Sequence, residues 1–368
     1  MRKILLALGS TGGHIFPAIS ILESIEESSE KVQVKLVASS RSKIKLPKLK
    51  NNNQVYTINT VGFVGKSILF KVKSIFLLLS SVIDSIKIIK NFKPEIIVGT
   101  GGFIFLPIAL AGFILRKKIY IVEGNSVPGL SNKIISKFSY KIFINFNVTK
   151  KYFNEKKCIS SGFPIRKLMV KRTESKTIDI LILGGSQGSK LLNKKFKDSL
   201  RSLLNKIKDS FDQRSEFTIV HQCGLNNDVQ LEDFYNQIRR EFPFFKFELH
   251  EFINNIDEYY QRTKVLISRA GASTIAESIY FKIPTIYIPI EKSSGNHQLL
   301  NAKEISDKKL AFLHREHETI ESLIIRIYNL LYDDKIRNNI YTKLEENQSL
   351  SNQNSAQIIA DGILQDVK

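Results

Sequence analysis

Two stretches of this 368-residue chain repeat one pattern, and that pattern constrains the fold more than any other feature. Lys3-Ile4-Leu5-Leu6-Ala7-Leu8 runs into Gly9-Ser10-Thr11-Gly12-Gly13, and Ile178-Asp179-Ile180-Leu181-Ile182-Leu183 runs into Gly184-Gly185-Ser186-Gln187-Gly188. A nearly continuous apolar run bounded by glycine reads as a strand buried on both faces, as in a parallel sheet covered by helices. Similar runs recur near 32–38, 54–58, 95–98, 118–122 and 140–145, and again near 217–222, 245–249, 264–268, 284–288 and 310–313, with helical spacing between them. The alternation predicts two doubly wound α/β domains.

Gly162-Phe163-Pro164-Ile165-Arg166 interrupts the pattern before a charged stretch, so the expected domains are 1–164 and 165–340, with a cleft where they meet. Residues 333–368 read as two polar-faced helices joined by an Asn/Gln/Ser-rich stretch, and 341–368 is expected as a helical segment that packs back on the first domain. With 43% hydrophobic and 24% charged residues, the chain has material for packed cores and lacks the composition of a disordered polymer. Cys158 and Cys223 lie far apart outside any CxxC spacing, which speaks against a disulfide framework or a zinc site and fits a reducing cytoplasm. The apolar run Ile4–Leu8 is shorter than the ~7–15 residues of a secretory core, and no window reaches the ~18 apolar residues of a membrane span.

A third glycine cluster, Gly99-Thr100-Gly101-Gly102, also follows an apolar strand. Glycine lets the backbone turn sharply and approach a ligand, and the N–H groups of the next helix attract anions. Any one such loop is also an ordinary strand-to-helix turn; three at the carboxyl ends of strands point to a ligand site. The loops at 9–13 and 184–188 match neither GxxxxGK[ST] nor GxGxxG, which removes support from a P-loop NTPase and from a dinucleotide oxidoreductase.

His14 directly follows the first glycine turn, where an imidazole can accept a proton near neutral pH, although a lone histidine also serves as a packed polar group. Arg269-Ala270-Gly271-Ala272-Ser273-Thr274-Ile275-Ala276-Glu277 follows another strand, and its small residues leave room for a ligand at a helix N-terminus. Ser273 is a candidate cap for that helix. A capping box would need an acid at 276, which is alanine, so Glu277 either complements the helix dipole or takes the two hydroxyls of a ribose. Gly295-Asn296-His297-Gln298 opens a further helix with amides and an imidazole, and no Asp-x-Asp pair or histidine cluster suggests a metal.

Taken in this order and spacing, Gly9 to Pro17, Gly184 to Gly188, Arg269 to Glu277, and His297-Gln298 with Asn301-Ala302 resemble the MurG family of peptidoglycan N-acetylglucosaminyltransferases, from Lys3 to about Ala302. The resemblance implies a GT-B fold of two Rossmann-like domains with parallel sheets facing a cleft. It implies inverting transfer of N-acetylglucosamine from UDP-N-acetylglucosamine to the C4 hydroxyl of the muramoyl sugar of lipid I, giving lipid II, with no cofactor and no metal.

By the same resemblance, Ile253 would meet uracil through its backbone, and Glu277 would hold the ribose. Ser186, Gln187, Arg166 and the turn through Ala272, Ser273 and Thr274 would face the diphosphate, and His297 and Gln298 the donor sugar. Thr11, Gly12, Gly13 and Asn125 would border the donor from the acceptor side of the cleft, where Gly101, Gly102 and Asn125 would also meet the acceptor. His14 would be the base. The family pattern His-Glu-Gln-Asn stands here as Val122-Glu123-Gly124-Asn125, and Ile104-Phe105-Leu106 replaces the usual small residues after Gly102.

Residues 1–165 hold 25 basic and 8 acidic side chains, a surplus of 17, while the rest of the chain holds 30 and 27. Residues 66–93 place Ile68, Val72, Ile75, Leu79, Val82, Ile86 and Ile89 on a helical seam fit for a core, with Phe70, Leu77, Leu78 and Ile88 off it and Lys66, Lys71, Lys73, Lys87, Lys90 and Lys93 among them. Two buried helices with solvated lysines account for this, and so does a segment that docks on anionic lipid. With a polyprenyl-linked acceptor, the expectation is a peripheral protein on the cytoplasmic face of the inner membrane. Rival readings are a UDP-sugar transferase acting on another membrane lipid, a UDP-N-acetylglucosamine 2-epimerase, and a basic nucleic-acid-binding protein, the last without any motif in its favour.

Overall fold

The computed structural model describes residues 2–9, 12–28, 31–40, 55–59, 68–165, 175–185, 188–210, 216–225, 228–291, 294–347 and 354–366. The chain divides into two compact units, Met1–Lys167 with Ser349–Lys368, and Leu168–Gln348.

The first unit is built on β1 (Arg2–Ala7), β2 (Val32–Ser39), β3 (Val55–Ile58), β4 (Ile96–Gly99), β5 (Lys118–Glu123), β6 (Lys141–Ile144) and β7 (Cys158–Ser160), ordered β3-β2-β1-β4-β5-β6-β7 and parallel throughout. Helices α1 (Gly12–Glu27), α2 (Ile68–Phe92), α3 (Phe105–Ile114) and α4 (Leu130–Ile135) cover it. Alternation along β1 sorts its side chains, as a strand buried on both faces requires: Ile4 and Leu6 join one core with α1, Leu5 and Ala7 a second with α2 and α3. The order reverses at β1, since β2 lies on one side and β4 on the other. A parallel sheet binds ligands outside such a switch point, and Gly9 and Thr100 follow the two strands that flank it.

β7 has no counterpart among the expected strands. Cys158-Ile159-Ser160 is too short and too polar to carry a strand pattern, and it becomes one by pairing on the open edge of β6.

α2 corrects the expected seam. Ile89 is buried, and Val82 and Ile86 pack against the core, but Leu79 is 55% exposed, and serines carry the stripe beside them: Ser74, Ser81 and Ser85 are buried. Small side chains let α2 approach its neighbours closely. Two of the hydroxyls turn back on the helix, Ser81 Oγ to the Leu77 carbonyl at 2.6 Å and Ser85 Oγ to the Ser81 carbonyl at 2.7 Å, and Ser81 Oγ also meets the Asn59 carbonyl beyond β3. Lys66 lies outside the described residues, as do the side chains of Ile68, Phe70, Lys71, Val72, Lys73 and Ile75.

α12 (Ser355–Leu364) belongs to the first unit, packing on α1 through a core that holds Ile359, Ala360, Ile363 and Leu364, with Gly362 against the Phe143 ring. Just beyond it, Asp366 accepts from the Tyr120 hydroxyl at 2.8 Å and from Lys141 Nζ, while Lys118 Nζ donates to its carbonyl at 2.7 Å.

The second unit carries β8 (Ile178–Leu183), β9 (Phe217–Gln222), β10 (Phe245–His250), β11 (Thr263–Ser268), β12 (Thr285–Tyr287) and β13 (Phe312–Leu313), ordered β10-β9-β8-β11-β12-β13 and parallel. Around it lie α5 (Lys190–Ile207), α6 (Asp228–Glu241), α7 (Ile256–Arg262), α8 (Ala272–Tyr280), α9 (His297–Asp307), α10 (Ile320–Tyr332) and α11 (Asp334–Glu346). Its switch point falls between β8 and β11, the strands that lead into the second glycine turn and the 269–277 segment.

Candidate active site

In the first unit, His14 sits in the first turn of α1, and its Nδ1 lies 2.8 Å from the Thr100 carbonyl, while Thr100 Oγ1 donates back to the His14 carbonyl at 2.8 Å. A carbonyl oxygen can only accept, so Nδ1 carries a proton, and in the neutral ring the lone pair falls on Nε2. The ring rests in a cradle of glycines. Gly101 and Gly102 have φ of +98° and +81°, and a Cβ on Gly101 would lie 3.3 Å from His14 Cε1. A Cβ on Gly9 would fall 2.1 Å from His14 Cβ. Gly12 is buried and Gly13 exposed beside the ring.

Next to Gly101 lies Asn132, and behind it Glu123, a residue given no role in the sequence reading. The Glu123 carboxylate is 3% exposed. It accepts from the Asn125 backbone N–H at 2.9 Å, Asn125 Nδ2 at 3.1 Å, Gly129 N–H at 3.3 Å and Asn132 Nδ2 at 2.9 Å. Burial pushes its carboxyl above the usual range, and those donors pull the other way. Glu123 thereby ties the expected acceptor residue Asn125 to the glycine cradle. Ile104, Phe105 and Leu106, the large residues after Gly102, are buried, and the Phe105 ring occupies the space a Cβ on Gly99 would need.

In the second unit, Gly185 and Gly188 have φ of +86° and +73°, and Ser189 caps α5 by accepting the Leu192 N–H at 3.3 Å. Gly271 is the N-cap of α8, with no side chain capping it, so Ser273 is not the cap but lies inside the first turn with Ala272 and Thr274. The cap falls on Gly271, whose backbone is extended there and which has no side chain to cap with, so the first turn of α8 presents the positive end of the helix dipole, which favours an anion. Glu277, one turn on, accepts from the Tyr260 hydroxyl at 3.0 Å.

Arg269, 6% exposed, is spent on structure: Nε and one terminal nitrogen donate to Ser189 Oγ at 2.9 and 2.7 Å, the other to the Ile288 carbonyl at 2.7 Å and Glu316 at 3.2 Å. His297 opens α9, and Gln298 Oε1 accepts the Ile290 N–H at 3.1 Å, leaving its amide nitrogen to donate elsewhere. The Ile253 N–H is taken by Gln222, a second residue the sequence reading missed. Thr11, Arg166, Ser186 and Gln187 lie outside the described residues. Among the described residues, no group of three or more His, Cys, Asp or Glu is placed to hold a metal ion.

The chain matches the glycosyltransferase family 28 N-terminal domain over residues 4–144 and the glycosyltransferase family 28 C-terminal domain over 179–359. It is 34% identical over 315 residues to a UDP-N-acetylglucosamine–N-acetylmuramyl-(pentapeptide) pyrophosphoryl-undecaprenol N-acetylglucosamine transferase of Thermodesulfovibrio yellowstonii, covering 82% of each chain. A protein of the same name from Thermosipho melanesiensis is 32% identical over 373 residues, covering 100% of this chain and 99% of its own. Among solved structures, Acinetobacter baumannii MurG superposes with a TM-score of 0.75 at 21% identity, over 99% of this chain and 100% of that one. A UDP-GlcNAc 2-epimerase from Neisseria meningitidis bound to UDP-GlcNAc gives 0.69 at 12% identity, over 99% and 100%. At these identities the superpositions establish a shared fold of two Rossmann-like domains.

Proposed function

The chain belongs to glycosyltransferase family 28, and we propose that it transfers N-acetylglucosamine from UDP-N-acetylglucosamine to the muramoyl C4 hydroxyl of undecaprenyl-pyrophosphoryl-MurNAc-pentapeptide, forming lipid II for peptidoglycan. The observation that carries this reading is the match to transferases of that name along the whole chain, which separates transferase from epimerase where the fold does not.

The residues divide the work as follows. His14 Nε2 removes the proton of the C4 hydroxyl as its oxygen attacks the anomeric carbon from the face opposite UDP, so the β-1,4 bond forms as the bond to UDP breaks. The α8 N-terminus, with Ala272, Ser273 and Thr274, and the 184–188 turn, with Ser186, Gln187 and Arg166, meet the negative charge that grows on the leaving diphosphate. Glu277, oriented by Tyr260, takes the ribose hydroxyls, while His297 and the Gln298 amide hold the sugar. Asn125, Gly101 and Gly102 line the acceptor, with Thr11, Gly12 and Gly13 beside the donor.

The first unit docks on anionic lipid at the cytoplasmic face of the membrane that carries the acceptor. Phe76, Leu79 and Ile83 on α2, Phe113 and Ile114 at the end of α3, and Leu130 and Ile134 on α4 are exposed, and α3 touches both other helices. Lys87, Arg116, Lys133 and Lys137 are exposed on or beside the same elements. Among the described residues, no helix is long and apolar enough to cross a membrane.

Incubation with radiolabelled UDP-N-acetylglucosamine and lipid I is expected to move label into the lipid. Release of free sugar and UDP without a lipid acceptor would indicate an epimerase, and label in diacylglycerol but not in lipid I would overturn the acceptor.

A further inference from the structure

β9 lies between β8 and β10 in the second sheet, so a side chain at its carboxyl end stands between the loops that follow both neighbours. Gln222 is that residue. It is 5% exposed, and both ends of its amide are engaged: Nε2 donates to the Gly185 carbonyl at 3.0 Å, and Oε1 accepts the Ile253 N–H at 2.9 Å. The partners fix which end is which, because a carbonyl only accepts and a backbone N–H only donates.

The same Gly185 carbonyl accepts the Gly188 N–H at 3.0 Å, closing the glycine turn. Residues beside Gln222 brace the bridge. The Cys223 N–H donates to the His250 carbonyl at 2.9 Å, and a Cβ on Gly188 would lie 2.4 Å from the Cys223 carbonyl. That carbonyl accepts from Asn193 Nδ2 at 2.9 Å, and Asn193 Oδ1 in turn accepts from His221 Nε2 at 3.1 Å.

We propose that Gln222 is a positioning residue of the donor site, its one planar amide holding the turn that meets the base at a set separation from the turn that meets the diphosphate. This rests on the donor reading of Ile253 and the 184–188 turn given above. A ligand that reaches both turns gains from their being held in advance, since less ordering remains at binding; a ligand that touches one gains little.

The test titrates the parent, Gln222→Met and Gln222→Asn with UDP and with uridine, each displacing UDP-N-acetylglucosamine. Methionine keeps the volume and loses both hydrogen bonds; asparagine keeps the amide and is one methylene too short to span. Each variant is expected to bind UDP about tenfold more weakly, with uridine affinity within about twofold of the parent. The KM for UDP-N-acetylglucosamine rises in step, and that for the lipid acceptor stays put. UDP and uridine weakening in parallel alongside a lowered melting temperature would make Gln222 a general support and overturn the proposal. So would unchanged UDP affinity. If the methionine variant does not fold, the asparagine variant decides by the same ratio. A parent that binds neither ligand overturns the donor reading itself, whereas a binding parent whose UDP-to-uridine ratio the variants share overturns the proposal alone.

Discussion

His14 is held by its neighbours through contacts that fix its tautomer. Its Nδ1 proton is committed to the Thr100 carbonyl, so rotation of the ring would leave a polar group unpaired. His14→Ala is expected to lower turnover by about 10²–10⁴-fold with little change in donor KM, measured by steady-state kinetics with lipid I. Gly101→Ala tests the cradle: a side chain at φ +98° is strained by about 1–2 kcal/mol, and its Cβ crowds the imidazole. Turnover should fall in the same steady-state assay, and unchanged turnover would remove the cradle's role. Glu277→Ala should instead raise the donor Kd by about tenfold or more, read by calorimetry with UDP-N-acetylglucosamine, because two hydrogen bonds to a carboxylate are lost. Equal affinity would remove the ribose assignment. The places of His14 and Glu277 beside helix starts were legible because each stands at a fixed step from a glycine turn. Glu123 and Gln222 were not, since what singles them out is a set of partners contributed by loops distant in sequence.

Among the elements, α2 shows how a periodic pattern can be read correctly as a helix and incorrectly as a face. Its apolar residues outnumber the positions a core-facing stripe can hold, and serine, counted as polar, takes part of that stripe. Ser85→Leu is expected to destabilise the fold by about 1–3 kcal/mol through overpacking, measured by chemical denaturation. Leu79→Ser with Ile83→Ser should leave the melting temperature within error and abolish sedimentation with vesicles of anionic phospholipid, since both side chains face water. Retained vesicle binding would remove the docking surface. The long strands were legible from β-branched runs; β7 was not, because three residues gain their strand character from the open edge of β6.

For the molecule as a whole, the chain's end returns to its beginning, and Asp366 secures it. Burial alone would raise the Asp366 carboxyl; hydrogen bonds from Lys141 and Tyr120 and the charges of Lys141 and Lys118 outweigh it and hold it below the usual range. A carboxyl depressed in the folded state contributes stability above its unfolded value of about 4, and that contribution is lost as pH falls through the folded value. Asp366→Asn should therefore lower the melting temperature at neutral pH and flatten its decline below pH ~4 relative to the parent. Identical acid profiles would show that the carboxylate contributes nothing. The sequence by itself determined the parallel sheets, the glycine turns that end their strands and the family, because each is written in short, contiguous residue patterns governed by local geometry. Tertiary structure alone decided which helix face meets the core and which buried amide or carboxylate links separate loops. Those outcomes depend on partners that the fold, not the order of residues, brings within hydrogen-bonding distance.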